Sequence, residues 1–567
     1  MVIATDEINN LSKEADSHIL NREYEALESL IERLLSGEFE FEHPFHEAYY
    51  LYIIANCYSA LYRSRGVEWY SDDLMQAVIY YRKSLYRMPK PNRNQKAEYT
   101  AVVNDLKSRV LTNLATYLAC QGRTLCCIPL YDEAIAINKK IEAIAAKAKR
   151  QLSHTESLYD DGHKEYCYFT AYRLIKEAVE NIGQLYPEHR VDLEGDGYLI
   201  KFKEWFEKNF EESSFDYFSE QKYNSSKTRK EKQYLQWCAK NKLFINVLND
   251  VCDFEISHQD VLALPPFSQA INSTLTMHEE LAYHGNFDEI KNDYCYARYL
   301  FFSADSIPND EQHFYNSTYR HVDDMSYSIN NLKTSHYKTS FRILYSLFDK
   351  VAYFVRRFFY LNDIKDDHKI SIDNLFRDFK SNKRGKEWKP NEKLKTSDNH
   401  FIHALFYILK DIRDVQDTSS VSQWIDPDAK AFSEIRNAME HRSLKIVDDD
   451  GYELATSYNS YCDSELEKLT SDIQKIKEQL SASLSSEEYR ILKSNLEKHE
   501  SALYEKKKLS SHSLLMPLSQ FESRLMTLTK LARNSIIYLS LSIQFEEEKH
   551  SSDKVYWPRD VRLKDSI

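Results

Sequence analysis

Apolar residues recur along most of this chain every three or four positions, the spacing of one helix face. Tyr24, Leu27, Leu30, Ile31 and Leu34 keep that period and predict two short helices within residues 1–40. The strongest stripe is Phe341, Leu344, Tyr345, Phe348, Val351, Ala352, Val355 and Phe359, which predicts a helix from Thr339 to Leu361. A second helix is predicted from His400 to Asp414. A third starts at Asp426-Pro427, an N-cap followed by an N1 proline, and runs to about Lys445, with Asp448-Asp449-Asp450-Gly451 as the turn that ends it. Phe521, Leu525, Leu528, Leu531, Ile536 and Leu539 predict a closing helix from Pro517 to about Phe545, before a polar tail.

Within residues 45–90 the pattern changes scale. Leu51, Ile54, Ala55 and Tyr58 form one face, and Ala77, Tyr81, Ser84 and Pro89 form a second helix and its stop. These intervals resemble the tetratricopeptide repeat, whose small residues let paired helices approach closely. The loop around Gly66–Asp73 is about ten residues too long for that repeat. A second copy, through Leu114, Ala115, Leu118, Gln121-Gly122-Arg123, Cys127, Tyr131 and Ala134, fits without insertion. Tyr168, Tyr172, Ile175, Ala178 and Ile182 make a further face before residue 210. An unrelated helical bundle is the plainer alternative.

Two later regions differ in kind. Residues 211–235 are polar and mixed, with Asn224-Ser225-Ser226 and Lys227-Thr228-Arg229-Lys230, and are expected to be a linker. Residues 260–330 are rich in Tyr, His and Asp and show no clear element. His278 and His284 flank Glu279-Glu280 but are six apart, so they fall on different helix faces and are not expected to share a metal. In 463–508, Leu466, Leu469, Ile473, Ile476 and Leu480, then Tyr489, Leu492, Leu496, His499 and Leu503, alternate by three and four. Ser485 and Glu488 form a capping box between the runs. The pattern predicts an antiparallel coiled-coil hairpin.

Composition sharpens the fold class. With 10 Gly and 12 Pro in 567 residues the chain has few of the turns an all-β fold needs, so an all-α protein is expected. The formal charge of −13 argues against a protein that coats nucleic acid, though not against a local basic cleft. The nine cysteines have no CxxC spacing and are expected to be mostly buried free thiols of a cytoplasmic protein. No apolar run is long enough to cross a membrane. No phosphate-binding glycine loop, dinucleotide fingerprint or nucleophile elbow occurs, and no cofactor or metal is expected.

The candidate chemistry lies in the third helix. On a helical wheel, Ala431, Phe432, Ile435, Ala438 and Met439 occupy one arc, and Arg436, Asn437, Glu440 and His441 the other. An arginine can hold a phosphate and a histidine can transfer protons near neutral pH. Ordinary alternatives exist: Arg436 and Glu440, at i and i+4, can be a surface ion pair, and His441 can simply favour a helix C-terminus.

Three blocks carry a family resemblance. They are Trp237-Cys238 to Asn241 with Leu243-Phe244-Ile245-Asn246 to Leu248-Asn249-Asp250; Phe348-Asp349-Lys350-Val351-Ala352-Tyr353-Phe354; and Ile435-Arg436-Asn437-Ala438-Met439-Glu440-His441-Arg442. In order, over roughly 230–450 plus the closing helix, they resemble the HEPN superfamily, in the subgroup that often carries tetratricopeptide repeats. Arg436-Asn437-x3-His441 matches its R-x4–6-H motif. The coiled-coil hairpin is not part of that pattern. The resemblance implies a helical bundle that forms a homodimer or higher homo-oligomer, with two motifs lining one cleft, and a metal-independent endoribonuclease. It implies His441 as general acid or base, Arg436 as phosphate ligand and Asn437 as orienting group. Asp349 and Glu440 are possible auxiliaries; Asp349 could equally pair with a lysine, and Glu440 with Arg436. Arg442, Lys445 and the basic loop residues Lys383, Arg384 and Lys386 are candidate RNA contacts, the loop being otherwise a solvated segment.

The expected organisation is tetratricopeptide-like repeats over 1–210, a linker and middle region over 211–330, a HEPN domain over 331–546 that contains the 463–508 hairpin, and a tail over 547–567. The repeats are expected to bind a protein or peptide and to control the nuclease in microbial defence or stress. A catalytically silent scaffold for dimerisation or RNA binding, or the toxin of a toxin–antitoxin pair, are the alternatives.

Overall fold

A computed structural model describes residues 2–3, 5–36, 39–66, 68–89, 96–221, 227–265, 277–320, 327–361, 370, 375–376, 391–412, 429–480, 492–503 and 513–550. The protein is all-α: its described strands are two short parallel pairs, Val2–Ile3 with Glu40–Phe41 and Leu444–Val447 with Leu514–Pro517. The chain divides into two compact units. One comprises Met1–Tyr294, Ser346–Lys430 and Lys530–Ile567, the other Cys295–Tyr345 and Ala431–Thr529.

In the first unit, consecutive helices pair as hairpins: Pro44–Arg65 with Asp72–Arg87, Ala97–Cys120 with Thr124–Ile137, and Ile141–Glu156 with Asp161–Glu180. Small residues stand where backbones approach. Ala55, Ala77, Ala115, Ala134, Ala143, Ala171 and Ala178 are fully buried. Hydroxyls use that proximity: Ser84 Oγ donates to Ala48 O at 2.7 Å and Ser108 Oγ to Ala134 O at 3.1 Å. Caps fix the starts, with Pro44 at N1, Ser71 accepting from Leu74 N–H and Asp160 accepting from His163 N–H.

The loop around Gly66–Asp73 has a structural use. Trp69 stacks on His403 with ring centroids 4.1 Å apart, and its Nε1 donates to Lys395 O at 2.8 Å. Tyr407 Oη donates to Trp69 O at 2.7 Å. The turn between the helices Ala97–Cys120 and Thr124–Ile137 docks on the same helix, His400–Ile412: Gly122, at φ +78°, lies so close that a Cβ would sit 2.0 Å from His400 O. Arg123 and Arg82 both pair with buried Asp411.

Two of the residues expected to lie in a linker are packed, while most of their described neighbours are exposed. Phe215 and Phe218 are buried among Tyr166, Phe169 and Phe206. Polar composition hid two aromatic anchors. The block Trp237–Asp250 is not one element either: a helix ends at Lys240, and Leu243–Asp250 are buried around Arg533. Arg533 donates to both carboxylate oxygens of Asp250 at 3.0 and 2.6 Å and to the carbonyls of Phe244 and Asn246 at 2.6 and 2.9 Å. A buried guanidinium needs that many acceptors.

The unassigned region contains a long helix, Met277–Asp305. Tyr283, Phe287, Ile290, Tyr294, Ala297, Phe301 and Ala304 are buried at helical spacing, with tyrosine in places that leucine usually fills. The helix expected from Thr339 begins earlier, at Leu332, because Asn331 Oδ1 accepts from Thr334 N–H at 3.1 Å and caps it. The closing helix is Leu518–His550.

The third helix is shorter than expected. It is described as Ala429–His441, and the Asp426-Pro427 start lies outside the described residues. After Ser443 the chain turns into the strand Leu444–Val447, so Lys445 is a strand residue. Asp448 does not end an element. It opens the next helix, Asp449–Leu480, by accepting from Asp450 N–H at 3.1 Å. In that helix and in helical residues 492–503, the heptad positions Leu466, Leu469, Ile473, Ile476, Leu492, Leu496, His499 and Leu503 are partly or fully buried, while most neighbours are exposed. Lys477 Nζ bridges to Glu500 Oε1 at 2.9 Å between the two arms. The Ser485–Glu488 capping box lies outside the described residues.

Candidate functional site

The helix Ala429–His441 sits in the second unit by its apolar arc. Phe432 and Ile435 are fully buried and Ala438 nearly so. The Phe432 ring lies 6.3 Å from that of Phe341, which in turn lies 5.8 Å from Phe521. Burial of this arc fixes the opposite one toward solvent. Asn437, Glu440, His441 and Arg442 are exposed, and Arg436 is half-buried. The wheel's separation of faces therefore holds in three dimensions, with Met439 at the margin.

One expected pairing is replaced. Glu440 does not bond to Arg436. Arg342, from the neighbouring helix, donates its Nε to Glu440 Oε1 at 3.0 Å and an Nη to Met439 O at 3.0 Å. The local pair would have arginine N-terminal to glutamate, the weaker order, worth a few tenths of a kcal/mol. Arg342 instead supplies an ion pair and a charged donor for a carbonyl in the last turn, where carbonyls lack helical partners. The guanidinium of Arg436 lies over the Tyr345 ring at 5.9 Å, and among the described residues no carboxylate pairs with it.

A second cation secures the chain just beyond the helix. Lys338, one turn before Arg342, donates Nζ to Leu444 O at 2.8 Å. Burial, with the Arg342 charge adding to it, pushes the Lys338 ammonium below its ordinary pKa. The strand that Leu444 opens is held on two sides. It pairs in parallel with Leu514–Pro517, and Ile329 N–H donates to Ile446 O at 2.8 Å. His441 thus sits three residues before a hydrogen-bonded strand.

The remaining sequence candidates fall elsewhere. Asp349 is a half-buried residue of the helix Leu332–Phe358, within the first unit. Lys445 is half-buried in its strand, and Lys383, Arg384 and Lys386 lie outside the described residues. Among the described residues no group of three or more His, Cys, Asp or Glu side chains is placed to hold a metal ion. The sequence reading missed Arg342 and Lys338. Their signal was present as two cations four apart beside the Phe341 stripe, but nothing local names their partners.

The fold and this surface define an all-α protein that displays an arginine and a histidine on the solvent face of an anchored helix. Residues 274–484 match the family model described as LA2681-like HEPN, so the chain carries a HEPN domain in that stretch. The match covers well under half of the chain. It takes in the Phe348–Phe354 and Ile435–Arg442 blocks, whereas Trp237–Asp250, the N-terminal helices and the closing helix lie outside it. No curated protein and no solved structure matches the chain. No helix among the described residues is long and apolar enough to cross a membrane.

Proposed function

We propose that the protein is a metal-independent endoribonuclease of HEPN type. The observation that supports it is the exposure of Asn437 and His441, with Arg436 beside them, on a helix held by its opposite face inside the HEPN-matching stretch. In this reading the RNA 2′-hydroxyl attacks the adjacent phosphorus, the P–O5′ bond breaks, and the products are a 2′,3′-cyclic phosphate and a 5′-hydroxyl. His441 takes the 2′-hydroxyl proton or gives one to the leaving 5′-oxygen. Arg436 binds the phosphate and stabilises its gathering charge, and Asn437 orients the imidazole or the phosphate. One copy supplies one imidazole for two proton transfers, so a second copy facing it across a two-fold axis completes the cleft. The helical hairpins of the first unit recruit or restrain the nuclease by binding a protein or peptide, in microbial defence or stress.

The test is cleavage of single-stranded RNA by the purified full-length chain in excess EDTA. Cleavage lost in both Arg436→Ala and His441→Ala, with cyclic phosphate at the new 3′ end, supports the enzyme. Tight RNA binding with no cleavage, unchanged in His441→Ala, makes the domain a silent RNA-binding scaffold instead.

A further inference from the structure

Glu440 has two arginines within its reach along the chain and in space, and the structure pairs it with the one that is not its helical neighbour. Arg436 stands one turn before Glu440 on the same helix, a spacing at which side chains meet. Arg342 reaches in from the helix Leu332–Phe358 and takes the carboxylate, while its other arm holds Met439 O. Arg436 is left against the Tyr345 ring, a face that stabilises a cation without neutralising it.

We infer that Arg342 is a positioning residue for the proposed site: by holding Glu440, it keeps Arg436 available to an RNA phosphate. The inference rests on the phosphate-binding role given to Arg436 above. Arg342 touches no reacting atom in this arrangement and acts on Arg436 through Glu440. When Arg342 is removed, Glu440 turns back one helical step onto Arg436. The site then loses one phosphate contact although every residue of the R-x4-H motif is still present. The same pair offers a means of regulation, since anything that draws Arg342 away from Glu440 silences the cation.

The prediction is one of dependence between positions. Binding is measured on the full-length chain with a fluorescently labelled single-stranded 2′-O-methyl RNA, which lacks the attacking hydroxyl and is not consumed. In the wild type, Arg436→Gln lowers affinity and reduces the log–log salt slope by about 0.7, the share of one phosphate on a single strand. In an Arg342→Gln background the same Arg436→Gln change has almost no further effect, because the cation is already neutralised. In Arg342→Gln/Glu440→Gln, which restores the wild-type net charge, the cost of Arg436→Gln returns. A merely structural clamp gives a different result: Arg342→Gln and Arg436→Gln then add, and Glu440→Gln restores nothing. A crystal structure of Arg342→Gln reads the geometry without RNA. Glu440 within ion-pair distance of Arg436 is the expected result, and Glu440 elsewhere overturns the inference. If Glu440 does move but Arg436→Gln has no effect on RNA binding even in the wild type, the phosphate role of Arg436 falls while the pairing stands.

Discussion

Acid should destabilise the first unit well before its carboxylates titrate, and two nearly fully buried histidines supply much of the effect. His154, on the helix Ile141–Glu156, is 7% exposed, and neither ring nitrogen has a hydrogen-bond partner among the described residues. Burial pushes its pKa down to about 3, with His400 and Arg533 adding repulsion. His403, 6% exposed, is pushed down to about 4, again chiefly by burial, although its Nε2 donates to Ser397 O at 2.8 Å. In the unfolded chain both titrate near 6.5. The unfolded state therefore binds more protons between that value and the folded pKa, and stability falls as pH falls through this window. At pH 5 each histidine costs about 2 kcal/mol relative to pH 7, together about 4, a large fraction of a typical domain's stability. Urea unfolding of the full chain at both pH values measures this, and both lie above the reference pKa values of ordinary carboxylates, about 4. His154→Leu removes two buried unpaired polar atoms, so it should raise stability at pH 7 by about 1 kcal/mol and reduce the change between pH 7 and pH 5 by about 2 kcal/mol. Equal stability of the wild type at pH 7 and pH 5, or a His154→Leu variant with the full slope, would refute the reasoning.

Other substitutions test the packing that supports the fold. Asp250→Ala leaves the buried Arg533 guanidinium without its carboxylate and should cost about 3–5 kcal/mol in chemical denaturation. Gly122→Ala puts a Cβ into the His400 carbonyl at a left-handed backbone position, and should lower stability by more than about 2 kcal/mol, read as a drop in melting temperature. Trp69→Ala removes the stack on His403 and the donor to Lys395 O; a loss of about 3 kcal/mol is expected, with faster proteolysis near residue 69. On the nuclease reading, a rate–pH profile that shows an inflection in the wild type should disappear with His441→Ala along with the activity, whereas Asn437→Ala should keep a reduced rate with the same profile.

Periodicity made most of the helices legible, because a stripe such as Phe341 to Val355 has only one way to be buried. The faces of the motif helix were legible for the same reason, since Phe432, Ile435 and Ala438 cannot turn inward without sending His441 outward. What could not be read were partnerships across long stretches of chain. Arg342 meets Glu440 from 98 residues away, and Arg533 meets Asp250 from 283 away. No local pattern marks either, and the i,i+4 rule pointed Arg436 at Glu440 because it counts only neighbours on one helix. The strand Leu444–Val447 was missed for a related reason: four residues carry almost no periodic signal, and their stability comes from a partner 70 positions on. The 212–220 segment misled through composition, where two phenylalanines outweigh a run of polar neighbours.

The short ribbon behind His441 has a topological consequence. Leu444–Val447 and Leu514–Pro517 run in the same direction, so the chain leaves one end of the ribbon and must return to the other. Strands paired in this way cannot be joined by a tight turn and need a crossover of a dozen or more residues. The coiled-coil arms are thus the return path itself rather than an ornament hung on a loop. Their length is free to change, but deleting them outright would unpair the strand that begins three residues after His441. Evolution or an engineer could shorten this antenna by whole heptads, and would meet a floor at the crossover.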